Sequence, residues 1–158
     1  MIRDAAVADF AAVLALNAES EHFLSPMDAQ RLARLHRQAA YHRVVEIGGE
    51  VGAFLLAFRE GAVYDSPNYR WFAARYDAFL YIDRIVVGQS HRGKGIGIGL
   101  YEDLFAFARQ TGVATVTCEF DIHPSNETSK RFHARLGFRE VGTQWYGKKQ
   151  VSLQECTG

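Results

Sequence analysis

The sequence predicts an α/β (α+β) fold, a mixed central sheet of six to seven strands with elements in the order β-α-α-β-β-β-α-β-α-β-β. Three observations predict it. The apolar runs 44–47 and 51–58 are split by Gly48-Gly49-Glu50, a tight hairpin signal that makes this part of the sheet antiparallel. The β-rich runs 79–87 and 113–120 flank a helical pattern, and a strand-helix-strand succession makes its two strands parallel. Runs 138–144 and 149–153, joined by Trp145-Tyr146-Gly147-Lys148, close the chain as a second strand pair.

Taken in order, residues 2–5 read as a short first strand, and Phe10, Val13, Leu14 and Leu16 after Asp9 carry helical spacing to about Asn17. Ser25 as cap and Pro26 in the first turn open a second helix with the buried stripe Leu32, Leu35 and Ala39. Glu19, Glu21 and His22 lie near Phe23 in the break between the two helices. The run 51–58 is almost continuously apolar, as in a strand covered on both faces. In the irregular region 59–77, Trp71/Arg75 and Phe72/Tyr76 fall at helical spacing. They fit either a short helix pinned to the domain by its aromatics or a wall over a bound molecule. Leu100, Leu104, Phe107 and Ala108 give the next helix its buried face, and Gly112 ends it. His123-Pro124-Ser125 opens a helix over 126–136, closed by Gly137.

At 158 residues, one domain over 1–158 is expected, and 48% apolar with 13% aromatic residues is the composition of a compact chain. A formal net charge of zero gives no basic excess, so a nucleic-acid partner is not expected and attraction for phosphate must be local. No apolar run approaches the ~20 residues that span a bilayer, and 1–4 lacks a signal peptide's apolar stretch; the expected location is cytoplasmic, with no membrane partner. Two cysteines do not make a disulfide framework, and Cys118 reads as a small buried hydrophobe rather than a nucleophile. The six histidines form no metal-ligand spacing, so no metal is expected.

The most informative stretch follows the run 79–87. Gly93, Gly95, Gly97 and Gly99 alternate into a helix start, although each mid-helix glycine costs roughly 1 kcal/mol against alanine. An anion gives the reason: a helix start offers unpaired N–H groups and the positive dipole end, and missing side chains let a phosphate reach them. Arg92 and Lys94 add charge in the same turn. A dinucleotide fingerprint fails because Ile98 stands where the third glycine belongs. Residues 88–95 satisfy the P-loop spacing G-x-x-x-x-G-K, but Gly95 replaces the Ser or Thr that holds magnesium. A loop that merely lets helix pack on strand is the plain alternative.

Arg92-x-x-Gly95-x-Gly97 resembles the R/Q-x-x-G-x-G/A loop of the GNAT superfamily of acyl-CoA-dependent N-acetyltransferases. Asn126-x-x-Ser129-x-x-Phe132-His133-x-x-Leu136-Gly137-Phe138 is similar to that superfamily's closing motif. The resemblance implies acetyl transfer from acetyl-CoA to an amine, a sheet splayed between the fourth and fifth strands to admit pantetheine, and in many members a homodimer through the last strands. It implies that Arg92, Gly93, Lys94, Gly95, Ile96 and Gly97 hold the pyrophosphate, that Ile85, Val86 and Val87 border the cofactor, and that Asn126, Ser129 and Phe132 meet its arm. A backbone N–H at Val87 or its neighbour would polarise the thioester. Asp83 stands where many members carry a carboxylate base, with Glu119 and Asp121 as substitutes and an Arg84 or Arg75 ion pair as the alternative for Asp83. Trp71, Phe72, Tyr76 and Glu19 would line the acceptor. Asn126 taken alone reads equally as a helix cap.

One position departs from the family pattern. His133 stands where a tyrosine usually protonates the leaving thiolate. A phenol of pKa about 10 is protonated at neutral pH, whereas an imidazole near 6.5 mostly is not. His133 is therefore read as acid, base or packing residue. A non-catalytic CoA-binding module and a P-loop phosphotransferase are the competing readings.

Overall fold

The computed structural model describes residues 1–21, 24–123 and 125–157. His22 and Phe23, from the break between the first two helices, and Pro124, from the predicted helix opening, lie outside the described residues. The strands are β1 (Ile2–Asp4), β2 (Tyr41–Ile47), β3 (Glu50–Arg59), β4 (Leu80–Val87), β5 (Thr115–His123), β6 (Arg139–Tyr146) and β7 (Lys149–Thr157). The helices are α1 (Phe10–Glu19), α2 (Ala29–Gln38), α3 (Pro67–Ala73), α4 (Ile96–Gln110) and α5 (Glu127–Arg135). The seven strands are ordered β1-β2-β3-β4-β5-β7-β6.

Within this sheet β1 and β3 flank β2 antiparallel. The β2–β3 hairpin turns on Gly48 and Gly49 at φ +60° and +83°, the double left-handed turn that the glycine pair signals. β4 pairs with β5 in parallel through Leu80↔Val116 and Tyr81↔Thr117. Among the described residues those are the register pairs, near the N-terminal ends of both strands. β7 runs antiparallel to both β5 and β6.

The chain forms two compact units. One comprises Met1–Phe58 with Ile82–Ala106, the other Arg59–Tyr81 with Phe107–Gly158. In the first, Val13, Leu32, Leu35, Val44, Phe54, Leu100 and Leu104 are buried core residues; they include most of the helical stripes expected from spacing, but Ala39 lies past the end of α2 and is only half-buried. Tyr41 Oη and Arg43 Nη1 each donate to Asp103 Oδ2 at 2.7 Å, tying β2 to the polar side of α4. In the second unit Tyr69, Phe72, Phe79, Tyr81, Val116, Cys118 and Leu153 are buried. Burial drives the Cys118 thiol upward, so this sulfur is a packing group, as expected.

Two local expectations are corrected and one is met. The N-cap of α2 is Asp28, whose Oδ1 accepts from Arg31 N at 2.7 Å. Ser25 does not cap it, because its carbonyl and hydroxyl both accept from Arg84 at 3.3 Å. Region 59–77 does contain a helix, α3, capped by Ser66 with Pro67 in its first turn. β7 continues to Thr157, beyond the expected run 149–153, so Cys156 belongs to a strand, its Sγ 3.6 Å from Leu136 O.

Candidate active site

In the first unit, the loop leaving β4 is held from below. Gly88 N donates to Gly52 O at 2.9 Å. A side chain at Gly52 would stand 2.8 Å from His91 Cδ2, so His91 packs onto β3 rather than reaching outward. Gly93 and Gly95 take φ of +76° and +79°, a region that costs other residues about 1–2 kcal/mol. Gly97 and Gly99 lie inside α4, and packing does not ask for either. A Cβ at Gly97 would meet Val87 Cγ2 at 3.8 Å, an ordinary contact, and one at Gly99 would meet nothing within 4 Å. The reading of these glycines as a packing device therefore has no support at α4.

The donors match this opening. Gly88, Gln89 and His91 spend their N–H groups on Gly52 O, Glu19 and Gly88 O, and among the described residues the next N–H along the chain with a backbone acceptor is that of Gly99, bonded to Gly95 O at 3.0 Å. The N–H groups of residues 93–98 are thus available to an anion at the positive end of a 15-residue helix. Lys94 is exposed beside them. Arg92 Nε donates to Val87 O at 3.1 Å, folding that guanidinium back onto the end of β4.

Asp83 has a different environment. Its Oδ2 is 2.7 Å from Arg84 Nε, with side-chain exposures of 5% and 4%. Arg84 Nη1 also donates to Asn17 Oδ1 at 2.9 Å. This cation joins β4 to α1 and to Ser25, and Asp83 balances its charge. The structure thus provides the ion pair weighed as the alternative for Asp83. Glu19, at the C-terminal end of α1, accepts from Gln89 N at 3.2 Å, which places it against the loop after β4.

In the second unit, Glu119 of β5 gathers donors. Tyr81 Oη donates to its Oε1 at 2.8 Å and Asn68 Nδ2 at 3.2 Å. Gln144 Nε2 of β6 donates in turn to Asn68 Oδ1 at 3.0 Å. Sequence reasoning found Glu119 as an odd carboxylate in a strand interior but missed Tyr81, Asn68 and Gln144. Tyr81 carried a signal, two positions before Asp83 on the same strand face; Asn68 and Gln144 carried none. Asp121, the other substitute, lies 3.7 Å from Lys149 Nζ.

His133 is enclosed by aromatics. Its ring stacks on Phe120 at 5.4 Å and meets Phe132 and Phe138 edge-on at 5.6 and 5.3 Å. Nδ1 is 2.7 Å from Ser129 O. A carbonyl only accepts, so Nδ1 carries the proton and donates it there. Burial lowers the imidazole below its usual range, with the Ser129 bond opposing. The ring is neutral near pH 7, which leaves the packing reading the best supported. Asn126 caps α5, its Oδ1 accepting from Ser129 N at 3.2 Å.

The α3 aromatics serve packing. Phe72 is 0% exposed, so its assignment to the acceptor is corrected: a side chain sealed in the core touches no acceptor. Tyr76 Oη donates to Glu155 Oε2 at 2.8 Å. Trp71 lies against β6, where a Cβ on Gly142 would stand 2.5 Å from its Cζ2, and Arg75 covers its ring at 3.9 Å. Among the described residues no cluster of His, Cys, Asp and Glu could hold a metal, and no helix is long and apolar enough to cross a membrane.

The family described as Acetyltransferase (GNAT) family matches residues 8–138. No curated protein matches the chain. Among solved structures, an N-acetyltransferase from Staphylococcus aureus Mu50 superimposes with a TM-score of 0.74 at 24% identity, covering 99% of this chain and 97% of that one. Ard1 from Thermoplasma volcanium reaches 0.79 at 17% identity, covering 99% and 96%. The yncA protein from Salmonella typhimurium, solved with its cofactor acetyl-CoA, reaches 0.70 at 21% identity, covering 99% and 92%. At these identities the likeness is one of fold.

Proposed function

Because this chain belongs to the acetyltransferase (GNAT) family, we propose that it moves acetyl from acetyl-CoA directly to an amine. The observation that carries the proposal is the run of N–H groups over 93–98 that have no backbone acceptor among the described residues, on glycines that protein packing does not explain. A diphosphate supplies acceptors for those donors, and its charge is favoured by the helix dipole and Lys94. The P-loop alternative loses its ground, since Gly95 offers no hydroxyl to a metal. The family match runs through both compact units, which supports reading 1–158 as one acetyltransferase domain.

Acetyl transfer sets three chemical tasks. The acceptor ammonium, of pKa near 10, must lose a proton before its nitrogen attacks the thioester carbon. The carbonyl oxygen needs a donor as it becomes anionic, which we assign to backbone N–H at Val87 or its neighbour. The C–S bond then breaks and the thiolate takes a proton, for which solvent is a better source than the enclosed, neutral His133. Glu119 is the carboxylate we assign as base. Asp83 is committed to Arg84, whereas Glu119 accepts from the amide of Asn68 and the phenol of Tyr81, which orient it.

The test is release of CoA thiol from acetyl-CoA in the presence of a panel of amines, amino acids, peptides and aminoglycosides. Amine-dependent thiol release, strongly slowed but measurable in Glu119→Gln with acetyl-CoA binding retained, is expected. Tight acetyl-CoA binding with no release on any amine would overturn the catalytic reading.

A further inference from the structure

Gln144, Asn68 and Glu119 form a one-directional chain of hydrogen bonds from β6 through α3 to β5, and none of it is needed to build those elements. The direction is fixed by chemistry. An ionised carboxylate only accepts, so the Asn68 group 3.2 Å from Glu119 Oε1 is the amide nitrogen. Asn68 Oδ1 must then face Gln144, whose own nitrogen donates to it at 3.0 Å. Tyr81 Oη, from a fully buried ring, donates to the same Oε1 at 2.8 Å. Two donors on a single oxygen fix where that carboxylate sits and turns, and a positioned proton acceptor must be held within about 0.5 Å of its working geometry.

We infer that Asn68 and Gln144 are positioning residues for proton abstraction by Glu119, acting as a polarised amide pair that orients the carboxylate. The inference rests on the reading of Glu119 as base. Asn68 is set by α3: it follows Pro67 in the first turn, one residue before Tyr69, whose 2%-exposed ring anchors the helix. Gln144 is set by β6, in register with Val151 of β7. The amide chain thereby couples the placement of α3, the segment least legible in the sequence, to the chemistry on β5. Purely structural amides would accept isosteric carboxylates at some cost in stability without altering how activity depends on pH.

The experiment uses the full chain and isosteric substitutions. Asn68→Asp puts a second carboxylate beside Glu119, and like charge raises the proton affinity of the pair; the acidic limb of the kcat/KM–pH profile is expected to move up by about 1 unit. Gln144→Glu replaces the donor with an acceptor. Asn68 must then rotate to donate outward, presenting its oxygen to Glu119, so this variant is also expected to move the limb upward and to be slower than Gln144→Ala. In all three, KM for acetyl-CoA stays within about twofold while kcat falls about 10-fold, as loss of a reaction-specific interaction requires. Acetyl-CoA affinity by calorimetry reports folding, and Asn68→Ser serves where the charged variant does not fold. If Glu119→Gln abolishes the limb but the Asn68 and Gln144 variants leave it in place, the amide chain is structural and this inference falls alone. If Glu119→Gln keeps the wild-type profile, the assignment of the base falls first.

Discussion

Asp83 Oδ2 accepts from Arg84 Nε at 2.7 Å, a pairing between successive residues of one strand in which both side chains are almost wholly buried. Arg84 also holds Asn17 and Ser25, so it anchors α1 and the segment before α2 to β4. Breaking such a pair from one side leaves a charge buried without its counter-ion, which costs about 3–5 kcal/mol. Asp83→Asn is therefore expected to lower unfolding free energy by about 3 kcal/mol, with kcat of the folded fraction within a few-fold of wild type. A variant as stable as wild type but 100-fold slower would return Asp83 to the role of base.

Gly97 separates stability from binding. Alanine there meets only Val87 Cγ2 at 3.8 Å, and helix propensity favours it by about 1 kcal/mol. Gly97→Ala should melt at or above the wild-type temperature while binding acetyl-CoA at least 10-fold more weakly, since its methyl group occupies the path of the ligand to the N–H groups. Calorimetry and thermal melts measure the two effects independently.

Histidine burial predicts acid sensitivity. His42 Nδ1 lies 2.8 Å from His36 Nδ1. Burial, and then the His36 charge, lower His42 to about 4. The folded value lies below the unfolded one near 6.5, so the unfolded state binds the extra proton and stability is lost as pH falls from about 6.5 towards 4. His133, also lowered, adds in the same sense. Asp9, held down to about 2 chiefly by the Arg3 hydrogen bond, keeps its contribution above pH 3.8 and loses it below. Denaturant midpoints across pH 4–7 should fall for wild type and flatten for His42→Phe, the difference at pH 4 being roughly 2–3 kcal/mol.

Gly142 and Trp71 test the anchoring of α3. A methyl group on Gly142 would overlap the indole at 2.5 Å, and displacing a packed ring costs about 1–3 kcal/mol. Gly142→Ala should destabilise by that amount with a change in tryptophan emission. An unchanged melt would mean that the indole does not rest on β6.

Much of the fold was legible because its signals are local. Gly48-Gly49 enforced a hairpin, the 3.6-residue stripe of Leu100, Leu104 and Ala108 marked α4, and alternate glycines marked the loop. What escaped depends on pairing across the chain. Ser25 has every property of a helix cap, yet Arg84, distant in sequence, claims it. Phe72 and Tyr76 look like a binding wall until α3 turns the first into the core and the second, just past that helix, bonds to Glu155. Asn68 and Gln144 have no pattern of their own, and only the fold brings them to Glu119.

The N–H groups of the loop after β4 carry the account, and amide chemical shifts read them directly. On titration with acetyl-CoA, the amides of Gly93, Lys94, Gly95, Ile96 and Gly97 should show the largest shifts, together with slowed hydrogen exchange. Saturating acetyl-CoA that left those five amides unmoved would contradict the proposed grip on the diphosphate.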